Sequence, residues 1–172
     1  QAYDKEVDAL NQHTKADKVY IVCSKEQLDE NGSMKIFSMI DKLSAELSVA
    51  SDNETRKRLL MRRAIAHSVL RDFEAAISDF TYYISLDDKN SLAYWQRAVC
   101  QAEMDEFNKA EGKGVLNIHS AEADFSDAIR QNSNNAYIYY NRGNLHAGRN
   151  ELSKAIDDYT IALRIDNRLA EA

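Results

Sequence analysis

The chain has 172 residues, of which 44% are hydrophobic and 29% are charged, a composition typical of a folded protein. Its formal net charge of −6 disfavours nucleic acid as a partner, because a phosphate backbone would be repelled. No apolar run approaches the roughly 20 residues that a membrane-spanning helix needs, and the absence of proline favours helices over loops.

The stretch 1–31 carries the weakest pattern. Val7 and Leu10 predict a short helix, and the β-branched run at 19–23 favours a strand by propensity alone. Because that run has no second strand to pair with, we expect helix or irregular structure there. The chain begins at Gln1 rather than methionine, and we expect that preceding residues were removed, either with an export signal or by trimming. An exported or periplasmic location and a cytoplasmic location are equally open.

An amphipathic helix is predicted after 31–33, where Asn-Gly-Ser would stop one segment and cap the next. Apolar residues recur at helical spacing through 34–47. We expect this helix to cover the apolar face of the elements that follow.

Two helices joined by a turn are predicted next. A capping box at 51–54 opens a helix that ends near Leu70, and a turn at 71–72 leads into a return helix at 73–86. The stretch 88–91 then caps the first helix of a second pair, and Glu-Gly-Lys-Gly at 111–114 marks a clear break within that pair.

The third pair of helices is the most regular stretch. Its first helix carries Tyr139, Gly143 and His146 at steps of three and four residues, and 148–150 form a polar turn. Its second helix has one apolar face, formed by Leu152, Ala155, Ile156, Tyr159, Ala162, Leu163 and Ile165. The stretch 169–172 looks like the start of another first helix.

A short sequence, alanine followed by two variable residues, aspartate and an aromatic, occurs three times. Its copies start at positions 76, 121 and 155. The first interval exceeds the second by roughly 11 residues, or about three helical turns. An arginine followed by a small residue recurs upstream at positions 63, 97 and 142, and here the second interval is the longer one. The extra residues therefore fall between the two helices of the middle pair.

The simplest placement splits this insertion, so that both helices lengthen by about a turn and a half. Phe107 on one arm would then face Ile118 on the other. The result is either a plain lengthened hairpin or a contact surface.

A helical hairpin of about 34 residues, with small residues where its helices cross, resembles the tetratricopeptide repeat family. The matching residues are small or aromatic: Ala64, Ala98 and Gly143 on the first helices, and Ala76, Ala121, Ala155, Ala128, Ala162, Phe80, Phe125 and Tyr159 on the second. The resemblance covers about 57–169. It departs from the family where Asp88, Ser133 and Asn167 replace the usual proline and Tyr83 replaces a small residue.

The resemblance implies an all-α fold, a right-handed superhelix (αα-solenoid) of tetratricopeptide hairpins. A helical N-terminal extension or cap is expected at 1–50 and the repeat array at 51–172. Three repeats are expected in the array, at about 57–90, 91–135 (with the insertion) and 136–169.

The family also implies a binding surface, because the first helices of its repeats line a concave groove for a peptide or a partner helix. The expected groove residues are Arg58, Met61, Arg62, Ile65, Leu92, Trp95, Gln96, Val99, Tyr137, Tyr140, Asn141 and Asn144. Some members clamp a terminal carboxylate with lysine and asparagine. That clamp is absent here, which excludes a chaperone-tail receptor. The groove aromatics are either binding hot spots or packing residues.

We therefore predict a non-catalytic protein–protein interaction module or scaffold that binds a protein or peptide. The alternative is an architectural or self-assembling element of a larger complex, without a peptide ligand. The oligomeric state is left open.

Charged and polar residues also recur at equivalent positions of the repeats, and we call each such set of equivalent positions a column. Arg63, Arg97 and Arg142 recur on first helices, and Asp79, Asp124 and Asp158 on second helices. They are either anion receptors or a ladder of ion pairs between paired helices, and we favour the ladder. His67 and His146 share a column with Gln101, which indicates hydrogen bonding between helices rather than chemistry.

No catalytic, metal or cofactor site is predicted. The four histidines lack metal-ligand spacing, no glycine-rich phosphate loop is present, and no serine lies in a nucleophile elbow. Cys23 and Cys100 are too few for a disulfide framework and are expected to be buried small hydrophobic residues.

Overall fold

The computed structural model describes residues 30–113 and 120–171, and every regular element in these two ranges is helical. The helices are α1 (Glu30–Val49), α2 (Asn53–Val69), α3 (Phe73–Leu86), α4 (Ser91–Ala110), α5 (Ala121–Gln131), α6 (Ala136–Gly148), α7 (Leu152–Ile165) and a 3₁₀ helix (Asn167–Glu171). The predicted all-α class is confirmed. The predictions for 1–29 and for Ile118 lie outside the described residues. In the described ranges, no helix is both long and apolar enough to cross a membrane.

The chain divides into two compact units, Gln1–Asp88 and Lys89–Ala172. The N-terminal unit contains α1, α2 and α3, and the C-terminal unit contains α4 to α7 and the 3₁₀ helix. Helices pack in pairs, α2 with α3, α4 with α5 and α6 with α7. The division into an extension at 1–50 and three repeats after it stays a prediction.

Helix α1 corrects one prediction about the N-terminal unit. It begins at Glu30 and runs through 31–33, where a stop and an N-cap were expected. An Asn-Gly pair inside a helix costs about 1 kcal/mol. Burial of Ile36 and Leu43 outweighs that cost, since each buried side chain of this size contributes about 1.5–3 kcal/mol.

Capping residues determine where helices α2 and α3 begin. Asp52 accepts a hydrogen bond from the Thr55 backbone nitrogen at 2.7 Å, so the expected capping box at 51–54 is wrong about which residue caps α2. That bond also lowers the pKa of Asp52. Arg71 takes a left-handed turn at φ 62°, and Asp72 caps α3. The predicted return helix at 73–86 is confirmed.

The insertion lengthens only one helix, so the predicted split is wrong. By the repeat columns, the last residues of α2 and α6, Val69 and Gly148, both align with Glu103 of α4. Helix α4 continues to Ala110, about two turns further. Helix α5 begins only at Ala121, where Ser120 caps it, and Gly112 turns the chain at φ 68°. The repeat spacing gives the number of inserted residues, but it does not show at which residues the two neighbouring helices end and begin.

Small residues do lie where helices cross. A Cβ atom added at Gly143 would come 2.7 and 2.8 Å from ring carbons of Tyr159, so a larger residue there would require the Tyr159 ring to shift. Ala121 and Ala155 are buried at the matching places on α5 and α7. Cys100 is buried in α4, as expected.

Candidate functional site

An arginine and an aspartate join the two helices of each hairpin. Nε and Nη2 of the guanidinium donate to the two carboxylate oxygens at 2.7–2.9 Å, in the pairs Arg63–Asp79, Arg97–Asp124 and Arg142–Asp158. The predicted ladder of ion pairs is confirmed. Two parallel bonds fix the register of the helices, which is the best-supported role of such pairs, since desolvation offsets much of their attraction.

The histidine column links the same helices. In the third hairpin, Nδ1 of His146 lies 3.2 Å from Oε2 of Glu151, and its Nε2 lies 3.7 Å from Oδ2 of Asp158. In the first hairpin, Nε2 of His67 lies 3.9 Å from Oδ2 of Asp79. Both rings thus lie between first and second helices. Their distances of 3.7 and 3.9 Å to the aspartates are too long for hydrogen bonds, so the hydrogen bonding expected between the helices is not formed with these aspartates. Across 30–113 and 120–171, no three histidine, cysteine or carboxylate side chains are placed to hold a metal ion.

The predicted groove residues of the N-terminal unit lie on α2 and differ in exposure. Arg58 is exposed, so its positive charge faces solvent, whereas Arg62 is half-buried. Met61 and Ile65 are buried and belong to the core.

In the C-terminal unit, four of the predicted groove residues are buried and Val99, on the same helix as three of them, is half-buried. On α4, Trp95 is 2% exposed, Leu92 and Gln96 are also buried, and Val99 is half-buried. On α6, Tyr137 is 7% exposed. Nε1 of Trp95 is buried and has no hydrogen-bond partner among the described residues. Trp95 and Tyr137 are therefore packed side chains in this structure.

The remaining predicted residues form a small aromatic and amide surface on α6. Tyr140 and Asn141 are half-buried and Asn144 is exposed. The ring of Tyr140 lies 5.9 Å from the ring of Tyr159 on α7, and the Tyr159 hydroxyl donates to Oδ1 of Asn144 at 2.7 Å. Desolvation raises the pKa of the Tyr159 hydroxyl above its ordinary value. We call Tyr140, Asn141, Asn144 and Tyr159 the α6 surface.

Tyr159 is a member of this surface that the groove prediction missed. The sequence did contain a signal, because the repeats pair alanine with phenylalanine twice (Ala64 with Phe80, Ala98 with Phe125) and glycine with tyrosine once. Gly143, which leaves room for a ring, and Tyr159, which adds a hydroxyl to that ring, therefore occur in the same hairpin.

Comparison with known proteins agrees with this repeated geometry. No family model matches the sequence. A curated human protein, tetratricopeptide repeat protein 6, is 32% identical over an alignment of 116 residues, which covers 55% of this chain and 22% of the relative. A solved structure described as MamA MSR-1 C2 has a TM-score of 0.60 at 12% identity, covering 96% of this chain and 94% of that chain.

The chain is thus similar to tetratricopeptide repeat proteins in sequence and in its helical-hairpin fold. It spans about a fifth of the length of the human relative, with 22% covered. The likeness to the solved structure, at 12% identity, concerns the fold alone.

Tetratricopeptide repeats are generally protein-interaction modules and are typically non-catalytic. Among the described residues of the C-terminal unit, two further surfaces are open to solvent. Phe107 is exposed in the two extra turns of α4, with Nζ of Lys113 5.9 Å from its ring centroid. On α7, Leu152, Ile156 and Leu163 are exposed at steps of four and seven residues, so they share one face of the helix. We call these three residues the α7 stripe.

Proposed function

We propose that this chain is a non-catalytic interaction module that binds a short protein segment at the α6 surface of its C-terminal unit. The observation that carries the proposal is the pairing of Tyr140 and Tyr159, with Asn144 holding the Tyr159 hydroxyl at 2.7 Å. Rigid aromatic side chains offer large contact area at little cost in rotamer entropy, and a neighbouring amide supplies adaptable hydrogen bonds.

The expected ligand is an extended or helical segment with an apolar anchor side chain and with polar groups that can hydrogen-bond to asparagine side chains. Trp95 and Tyr137 support the helices in this proposal, because their low exposure leaves little surface for a ligand. Arg58 of the N-terminal unit is exposed and would by itself attract an acidic side chain. An affinity near micromolar, about −8 kcal/mol, is typical of a short segment on a preformed surface.

Peptides can be selected on the intact chain by display and their binding measured by calorimetry. Tyr140→Ala should weaken binding by about 1–2 kcal/mol, or roughly 5- to 30-fold. The variant should stay folded, with a lower thermal midpoint because Tyr140 also packs against the cluster of Ala136, Tyr139 and Ala162, so binding is measured below that midpoint. Tyr82→Ala is the matched control, because Tyr82 is a 47% exposed tyrosine on α3. Equal weakening by both variants, or by neither, would contradict the α6 surface as the binding site.

A second candidate is an architectural or self-assembling element without a peptide ligand. The observation that favours it is the α7 stripe, since monomeric proteins rarely leave rows of large apolar residues in water. Sedimentation over a wide range of concentration separates the candidates. A mass that rises with concentration supports self-assembly, and a constant monomer mass supports the interaction module.

A further inference from the structure

The face of α6 that carries the α6 surface continues past its last asparagine to the end of the helix. Asn141, Asn144 and Gly148 lie at steps of three and four residues, so they share one face of α6. Gly148 is exposed and has no side chain, which leaves this face open where the helix ends. Tyr140 and Gly148 lie about 12 Å apart along the helix axis, because a helix rises about 1.5 Å per residue.

The two extra turns of α4 place a carboxylate at this end of the α6 surface. A Cβ atom added at Gly148 would lie 3.5 Å from Oε1 of Glu106. Glu106 belongs to the part of α4 that runs beyond Glu103, the residue aligned with Gly148 by the repeat columns. An α4 that ended at Glu103 would not place an acid there on a helix, so the carboxylate is a product of the insertion in the middle hairpin.

The charge of Glu106 is not neutralised within the chain. Glu106 is exposed and makes no hydrogen bond or ion pair with the other described residues. Arg149, which follows Gly148, is paired instead with Glu122, with Nη1 3.3 Å from Oε2. Asp105 adds a second acid. Desolvation raises the pKa of Asp105, Arg149 lowers it in part, and the charge of Glu106 raises it further. This end of the α6 surface is therefore negative, on a chain of formal net charge −6.

We propose that Glu106 selects a basic side chain in the segment that binds the α6 surface. The inference rests on the proposed function, because Glu106 lies at the rim of that surface. The ammonium or guanidinium group of the ligand lies over Gly148, where no side chain separates it from the carboxylate. The partner is an extended peptide with an apolar anchor at Tyr140 and a lysine or arginine at Gly148.

The distance between these two places sets the spacing of the ligand residues. An extended peptide advances about 3.3 Å per residue, so about 12 Å corresponds to a separation of about four positions. The ligand residue that meets Asn144 lies between them, about two positions from the basic residue. This ligand has the opposite charge from one attracted by Arg58 of the N-terminal unit, which would carry an acid.

The test is a display selection on the intact chain with a library of random short peptides. The unmodified chain should enrich lysine or arginine about four positions from an apolar or aromatic residue, in either direction. Glu106→Gln should keep the apolar residue and lose the basic one, and Glu106→Lys should enrich aspartate or glutamate in its place. Glu46→Gln is the matched control, because Glu46 is an exposed glutamate on α1, and it should select the same peptides as the unmodified chain.

Fluorescence anisotropy with one selected arginine peptide measures the size of the effect. Citrulline keeps the shape of arginine without its charge. Replacing the arginine by citrulline should weaken binding to the unmodified chain roughly two- to fivefold, as expected for an exposed ion pair, and should not change binding to Glu106→Gln. The difference between the two peptides should disappear at about 1 M salt, which screens exposed charges.

The results separate this inference from the proposed function. Peptides that bind the unmodified chain and not Tyr140→Ala, but show no preference for a basic residue, would overturn the role of Glu106 alone. The same basic preference on Glu106→Gln would also overturn it. Peptides whose binding survives Tyr140→Ala, or a selection that enriches no peptide, would overturn both the role of Glu106 and the α6 surface as the binding site.

Discussion

Gly143 lies where α6 crosses α7, and its replacement by alanine gives a sharp test of the packing. The added Cβ would come 2.7 and 2.8 Å from carbons of the Tyr159 ring, closer than carbon atoms pack. The ring cannot move away freely, because its hydroxyl donates to Asn144 at 2.7 Å. Overpacking of this kind costs about 1–3 kcal/mol.

A helix gains about 1 kcal/mol when glycine becomes alanine, which opposes part of that cost. If the ring shifts, the hydrogen bond to Asn144 is lost, at about 1 kcal/mol. We therefore expect Gly143→Ala to lower the free energy of unfolding by about 1–2 kcal/mol. Urea titration followed by circular dichroism measures this directly.

The matching second change is Tyr159→Phe, because the other two hairpins pair alanine with phenylalanine at these positions. Without the hydroxyl, the ring can retreat from the new Cβ. The double variant should thus lose less stability than the two single variants added together, by about 1 kcal/mol. Additive effects, or a Gly143→Ala variant more stable than the unmodified chain, would refute the proposed contact.

Three further changes test the ladder, the helix crossing and one half-buried acid. Arg142→Ala should cost about 3 kcal/mol, because it leaves the buried carboxylate of Asp158 without its cation, and adding Asp158→Ala should recover part of the loss in a double-mutant cycle. Ala155→Leu should cost about 1–3 kcal/mol in urea titrations by overpacking a buried helix crossing, and an unchanged midpoint would contradict the register. Desolvation raises the pKa of Asp105 in the folded chain, so its ionisation weakens the fold as pH rises from about 4 through the raised pKa. Asp105→Asn should therefore raise the urea midpoint at pH 7 and have no such effect near pH 3, and equal effects at both values would count against burial as the cause.

The repeat columns explain why the hairpins and their ion pairs are predictable from sequence. Arg142 and Asp158 lie at fixed positions on paired helices, and the same arrangement recurs in two other hairpins. Once two helices are known to form a hairpin, an arginine on the first helix is expected to pair with the aspartate on the second helix, across the place where the helices cross. Local signals were equally sufficient at α3, where a turn and Asp72 fix the start of the helix.

The ends of other helices depend on contacts that periodicity does not encode. Helix α1 continues through an Asn-Gly pair because Ile36 and Leu43 are buried further along it. In the insertion, Ser120 caps α5 and leaves the extra turns to α4. Spacing alone predicts neither outcome.

The candidate site was predictable in outline only. Sequence position places Tyr140 and Tyr137 on the same first helix, yet one is half-buried and the other is 7% exposed. Exposure depends on which neighbours cover a helix face, and that is a property of tertiary packing. The link from Tyr159 to Asn144 likewise needs the distance between two helices, which sequence patterns do not give.

Chemical-shift mapping by NMR tests the central claim most directly. A peptide selected on the intact chain is titrated into isotope-labelled protein, and the amide shifts of the C-terminal unit are followed. The account predicts that the largest changes cluster at Tyr140, Asn144 and Tyr159, and that they vanish in Tyr140→Ala while the rest of the spectrum is preserved. Changes confined to other helices, or a response that survives Tyr140→Ala, would contradict it.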